Sequence, residues 1–251
     1  MKFSKLLKGK AALVTAASGE RGAAIATALS REGCAVALHY YKNKATAEGL
    51  RDAIKDAGGR AASFQADLSR AEEVENLFSS VAAAMGPLQI LVNNAHAEIV
   101  RRPFLETTWD DFQRQIDVTL KGSWLACSQF IRRMDKGAKG SIIQVLSAQL
   151  NDPVKGYTAL ASALSALAGF SKNLALEAGP LGVRVNSVAP GFTMGENTPH
   201  APEWVREKII QETPLGKLAT PEDIGKAVVF FASDLSEFIT GTCLAVDGGK
   251  S

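Results

Sequence analysis

Cysteine is scarce. Cys34, Cys127 and Cys243 are the only three in 251 residues, and no two have CxxC spacing. Neither a disulfide framework nor a metal site is expected, and buried free thiols are the default. Charge of one sign is also lacking. Lys and Arg number 28 against 26 Asp and Glu, a formal net charge of +2, so nothing points to nucleic acid or an anionic membrane as a partner. Basic pairs such as Arg101-Arg102 and Arg132-Arg133 read as solvated faces. No apolar run looks long enough to span a membrane, and Met1–Lys10 is too short and too basic for a secretory signal. Repeats, low-complexity stretches and linkers are missing too. These absences together suggest a reducing, cytoplasmic setting.

What is present is an ordinary core-forming composition, 46% hydrophobic and 22% charged, in a chain of a length that suits one domain over residues 1–251. Short apolar runs alternate with helical patterns. Strands are expected at Lys10–Thr15, Ala35–Tyr40, Ala61–Gln65, Ile90–Asn93, Ser141–Leu146, Val183–Val188 and Cys243–Val246. Between them lie helices, among them Glu48–Ala57, a segment after Asp67 with Ser69 as N-cap, a long one over Trp109–Met134, Thr158–Ala178, and Pro221–Ala232 with proline in its first turn. Residues 192–213 read as an irregular flap. Strand–helix alternation predicts a Rossmann-like α/β fold with a doubly wound parallel sheet. Ligands in such sheets sit beyond the carboxyl ends of the strands, so the residues just after each strand carry the functional information.

Those residues fall into recognisable motifs: LVTAASGERGAAIA from Leu13, ADLS at 66–69, LVNNA at 91–95, NLALE at 173–177, GVRVNSVAPG at 182–191 and ITGTCLAVDGG at 239–249. In this order and spacing the chain resembles the short-chain dehydrogenase/reductase family over essentially its whole length. The resemblance implies NAD(P), a serine–tyrosine–lysine catalytic set and an asparagine that organises a proton-relay water.

Matched position by position, this chain departs from that pattern. The family's glycine loop falls on Thr15–Gly22, where only Gly22 stands in place. Ala16 occupies the tight turn, and Glu20 occupies a position where backbone meets pyrophosphate. One like-charge contact there would cost about 4 kcal/mol at 4 Å and an effective dielectric near 20. Lys42, at the end of the second strand, suits NADP. Asp67 matches an adenine-contacting aspartate. In Asn93-Asn94-Ala95-His96 a histidine replaces a glycine, and Thr119 replaces the relay asparagine. Counting from NLALE, the catalytic tyrosine falls on Leu160 and the lysine on Leu164, while Ser147 keeps the serine spacing. The enoyl reductase branch places its tyrosine seven residues before the lysine. Tyr157 lies seven before Leu164, and so fits that branch.

On the sequence alone, the leading expectation is a subunit that does not catalyse by itself, paired in a hetero-oligomer with an active paralogue to form an NAD(P)-dependent hydroxyacyl-CoA or other alcohol dehydrogenase. In that reading Ser147 is vestigial, as are the cofactor positions Gly22, Asp67 and Asn93, and this chain holds no cofactor. A homo-oligomer is the other assembly open to the chain. One alternative function is a divergent but active oxidoreductase using Tyr157. Another is an enzyme of the same descent doing non-redox chemistry with Ser147, Tyr157 or His96.

Overall fold

Among the described residues seven short strands set the frame: β1 (Ala11–Val14), β2 (Ala35–Tyr40), β3 (Ala61–Gln65), β4 (Ile90–Asn93), β5 (Gly140–Val145), β6 (Val183–Pro190) and β7 (Cys243–Val246). In the computed structural model, which describes residues 5–195 and 201–251, they form one parallel sheet in the order β3-β2-β1-β4-β5-β6-β7. Strands β1, β4 and β5 are buried throughout. That is why AALV, ILVN and GSIIQV are nearly continuous apolar runs rather than alternating ones.

Among the described residues eight α-helices flank the sheet: α1 (Glu20–Arg31), α2 (Lys44–Asp56), α3 (Ala71–Met85), α4 (Trp109–Gln115), α5 (Gly122–Arg132), α6 (Thr158–Ala178), α7 (Glu203–Glu212) and α8 (Pro221–Ala232). On one face Val14, Val36 and Ile143 of the sheet pack with Ile25 and Leu29 of α1 and with Val228 and Phe231 of α8. On the other, Leu13, Leu91 and Ile142 meet Phe78 of α3, Phe130 of α5 and Ala175 of α6. Helix α8 starts on a capping box between Thr220 and Asp223, with Pro221 at its first position.

Four sequence expectations change. The helix expected over Trp109–Met134 is interrupted by a π-helical turn at Ile116–Lys121, which separates α4 from α5; wide turns of this kind are frequent at functional sites. Ser69 does not cap α3. Its N–H and Oγ–H both donate to Asp67 Oδ1, at 2.9 and 2.7 Å, and Arg70 takes the N-cap position. The third change concerns length and hydropathy. Thr158–Leu181, comprising α6 and the turn after it, has a mean hydropathy of 1.2 over an 18-residue window and is long enough to cross a membrane. Its inward residues Leu164, Leu167 and Ala175 are core positions. Part of the expected flap is the regular helix α7, and residues 196–200 lie outside the described residues.

The sheet order reverses direction between β1 and β4. The crevice at that switch point lies between the loop after β1 and the turn after β4.

Candidate active site

The loop after β1 is held from three sides. Thr15 Oγ1 accepts the backbone N–H of Asn94 (2.8 Å) and of Ala95 (3.0 Å) and donates to Val92 O. The Asn94 side-chain N–H donates to Thr15 O at 3.1 Å, and its Oδ1 accepts Arg21 Nε–H at 2.8 Å. Next to Thr15, Ala16 adopts φ 50°, the one left-handed non-glycine residue described. An L-residue there carries strain of order 1 kcal/mol. Gly22 faces it, and a Cβ on Gly22 would run into Ala16 O and stand 2.9 Å from Ala17 Cα. Gly22→Ala is therefore expected to lower stability by roughly 1–3 kcal/mol, read as a shifted urea midpoint at constant slope.

These contacts answer whether the loop fits a dinucleotide. Helix α1 starts at Glu20 with Gly19 as N-cap and no side-chain cap. Its first N–H groups thus face the loop without a side-chain acceptor, the ordinary arrangement for binding a phosphate. The expected charge clash does not arise as the sequence suggested. The Glu20 carboxylate lies against Gly195, after β6, where a side chain on that residue would collide with it. Ala16 takes the turn conformation that glycine would supply. Arg21 lines the cavity described below, adding positive charge beside the helix N-terminus. The residues present fit a dinucleotide's phosphates, with Thr15–Gly22 and the α1 N-terminus as their seat.

The turn after β4 carries Asn93, Asn94 and His96. Asn93 is buried, and its amide N–H points at Cys127 Sγ at 3.4 Å. His96 Nδ1 lies 2.9 Å from Ala97 O. Thr119 sits in the π-helical turn, 1% exposed, with its hydroxyl 3.5 Å from Gln115 Oε1. Gln115 in turn donates to Glu98 O at 2.9 Å, which ties the π-turn to the segment following His96.

Ser147 follows β5, and Tyr157 is the N-cap of α6. Tyr157 is fixed by its neighbours. Arg102 N–H donates to Gly156 O (3.2 Å), Arg101 Nε–H donates to Lys155 O (3.3 Å), and the Arg101 guanidinium sits 5.6 Å from the centre of the Tyr157 ring. Such a cation over an exposed aromatic face contributes about 0.5–1 kcal/mol. Ser147, Tyr157, His96 and Arg21 all line one cavity of about 100 Å³, with Leu160, Leu164, Ile99 and Phe192 as apolar wall. That volume is below the usual range for a whole ligand and suits the reacting end of one. Leu160 and Leu164 are 8% and 6% exposed and pack with Leu146 and Leu167. Aliphatic side chains thus occupy the positions that the resemblance assigns to tyrosine and lysine, while Tyr157 reaches the same cavity from one turn earlier.

Two buried groups bear on the chemistry. Burial pushes the Cys127 thiol up to about 12, with the Gln144 and Asn93 amides opposing the shift; the thiol stays protonated at neutral pH and is no nucleophile. Burial also pushes His39 down to about 4, against the opposing influence of its bond to Ala66 O and of Asp67. Asp67 itself, just after β3, accepts the N–H and Oγ–H of Ser69 through Oδ1. Among the described residues no three His, Cys, Asp or Glu side chains gather as a metal site. Thr15 and Asn94 belong to the quoted motifs, but His39 was assigned no role from the sequence. The signal for His39 was present: it is the one polar side chain in the buried run AVALHY.

Comparison with known proteins places this geometry. Residues 17–251 match a family profile described as enoyl-(acyl carrier protein) reductase. The chain is 36% identical to 3β-hydroxysteroid dehydrogenase 1 of Eggerthella lenta, with 98% of this chain and 95% of that protein covered. It is 34% identical to the 3-oxoacyl-[acyl-carrier-protein] reductase of Staphylococcus aureus, with 96% and 97% covered. The crystal structure of a dehydrogenase/reductase from Sinorhizobium meliloti superposes with a TM-score of 0.91 at 35% identity, covering 99% of this chain and 97% of that one. These findings overturn two expectations. The non-catalytic subunit is not supported, because the relatives matched end to end are named as dehydrogenases and reductases in their own right. The cofactor-free chain falls with it. Such enzymes need a hydride carrier, and the phosphate loop, judged from sequence to be spoiled, has a geometry that accepts one.

Proposed function

The chain belongs to the short-chain dehydrogenase/reductase family, and from that premise we infer that it is an active NAD(P)-dependent oxidoreductase working between an alcohol carbon and a carbonyl, with Tyr157 as its proton donor. The observation that carries this reading is that the Tyr157 ring, Ser147 and Arg21 share one cavity at the carboxyl ends of the strands. The seven-residue spacing from Tyr157 to Leu164, together with the enoyl reductase description of the matching family, supports Tyr157 over Leu160 as the active position.

In this reading the nicotinamide, when bound, gives or takes the hydride. The chain does the rest. Ser147 donates a hydrogen bond to the substrate oxygen, and Tyr157 gives that oxygen its proton or removes it. Leu160 and Leu164 keep the floor of the cavity dry, which strengthens both interactions. The positive charge that a lysine would bring is supplied from elsewhere, by Arg21 in the cavity wall and by Arg101 over the Tyr157 ring. Lys42, beyond β2, favours NADP. The exposed Trp109 on α4 and Trp124 on α5 are taken as a self-association surface for a second copy of the chain. Sedimentation at micromolar concentration should then show a homo-oligomer, and a monomer at every concentration would dismiss it.

The test uses the purified chain alone. NADPH and NADH are titrated by fluorescence, and turnover is followed at 340 nm with 3-keto steroids, 3-oxoacyl and enoyl thioesters, and simple secondary alcohols. Saturable binding of one nicotinamide and turnover on at least one substrate are expected. Ser147→Ala should lower kcat by about 10²-fold, as loss of one oxyanion donor does. A chain that binds neither nicotinamide at millimolar concentration would defeat the proposal.

A further inference from the structure

The His39 side chain joins the loop after β1 to the loop after β3 at the cofactor end of the sheet. It lies on β2 and is 2% exposed. Its Nδ1 accepts the backbone N–H of Ala16 at 3.0 Å, so the ring proton is on Nε2, which donates to Ala66 O at 3.0 Å. Its own backbone O accepts the N–H of Ala17 at 2.8 Å. Ala16 is the strained residue at φ 50°. Its carbonyl is the hub of the loop, receiving Gly19 N–H at 3.3 Å and the Asn94 amide at 3.4 Å, with Gly22 packed against it. The peptide on the N-terminal side of Ala16 is therefore fixed by His39, and the one on its C-terminal side fixes the start of α1.

We propose that His39 is a positioning residue for the phosphate loop, its imidazole holding Ala16 in a turn that an L-residue does not keep unaided and coupling that turn to Ala66, beside Asp67. A glycine at position 16 would adopt the turn without help. With alanine there, the energy must come from a contact that the turned form makes and the relaxed form does not. The bond from Ala16 N–H to a buried imidazole is such a contact, because without it a half-buried donor facing the ring loses its partner. The inference rests on the dinucleotide reading above for its functional consequence, but the latch itself is a property of the chain alone.

The two ring nitrogens can be tested separately. His39→Asn keeps an acceptor where Nδ1 stands and loses the reach to Ala66. His39→Gln reaches towards Ala66 and lacks the near acceptor. His39→Phe keeps the shape and loses both. NADPH affinity by fluorescence should stay within about threefold of the parent in His39→Asn, and should weaken tenfold or more in His39→Gln and His39→Phe. Adding Ala16→Gly to His39→Phe should restore affinity to within about threefold. A merely structural histidine would lower the melting temperature in all three variants without this ordering and without rescue by a glycine at position 16. Amide exchange at Ala16, measured by NMR on the ligand-free chain, separates this idea from the cofactor reading. Exchange should be slow in the parent and in His39→Asn, and at least 10²-fold faster in His39→Gln. If His39→Phe melts at working temperature, the Asn and Gln pair still decides the matter. Equal Ala16 exchange in Asn and Gln variants, or NADPH affinity that Ala16→Gly fails to restore, would overturn the proposal. Clear ordering in exchange with no NADPH binding by the parent would keep the latch and remove its nucleotide.

Discussion

Tyr157→Phe is expected to lower kcat by about 10²–10⁴-fold, the usual loss when a positioned proton donor is removed. The change deletes a single oxygen. The ring keeps its stack under Arg101 and its packing beside Leu160 and Leu164, so melting temperature and NADPH affinity should hold. KM should move little, since the hydroxyl acts on the reacting oxygen rather than on the rest of the substrate. Arg101→Met gives a graded companion. It removes the charge over the ring while leaving the phenol, and should cost less than Tyr157→Phe. If Tyr157→Phe keeps kcat within threefold, Tyr157 is not the donor and the proton must pass through Ser147 or His96, which line the same cavity.

Acid should begin to destabilise the fold below pH 6.5, before carboxylates start to titrate. His39 is held neutral, its folded pKa lowered from 6.5 to about 4 by burial, while the unfolded chain titrates near 6.5. Above pH 6.5 both states carry a neutral imidazole and the stabilisation is complete. Between 6.5 and about 4 only the unfolded chain takes the proton, so stability falls as pH falls, and below the folded value nothing further is lost. The shift corresponds to about 3 kcal/mol across this window. Asp67, the charged group facing the ring, opposes the shift and does not reverse it. Urea unfolding at pH 7, 5.5 and 4.5 should show the midpoint dropping at constant slope, and His39→Asn should flatten that dependence. An unchanged midpoint between pH 7 and 4.5 in the parent would mean that the ring is already charged or hydrated.

Much of this protein could be read along the chain. β2, β3, β4, β7, α6 and α8 begin and end at the residues expected from hydrophobic runs, Gly and Pro punctuation, because those signals act over a few residues and the buried parallel sheet imposes them directly. The Ser147, Tyr157 and Leu164 spacings were likewise visible. The wide π-turn inside Trp109–Arg132 was not, since its residues IDVTLK have no breaker, and the interruption is a matter of which carbonyls their amides reach.

The error over the cofactor has the same root. The sequence by itself determined the parallel sheet, the switch point and the substitutions at Ala16, Glu20, Leu160 and Leu164. Only the tertiary structure decided what those substitutions do: Glu20 turns to Gly195, Arg21 to Asn94, and Ala16 keeps a glycine's turn because a buried imidazole accepts its N–H. Helix and strand follow local periodicity, whereas the direction of a charge and the cost of a backbone angle depend on contacts between residues far apart in the chain.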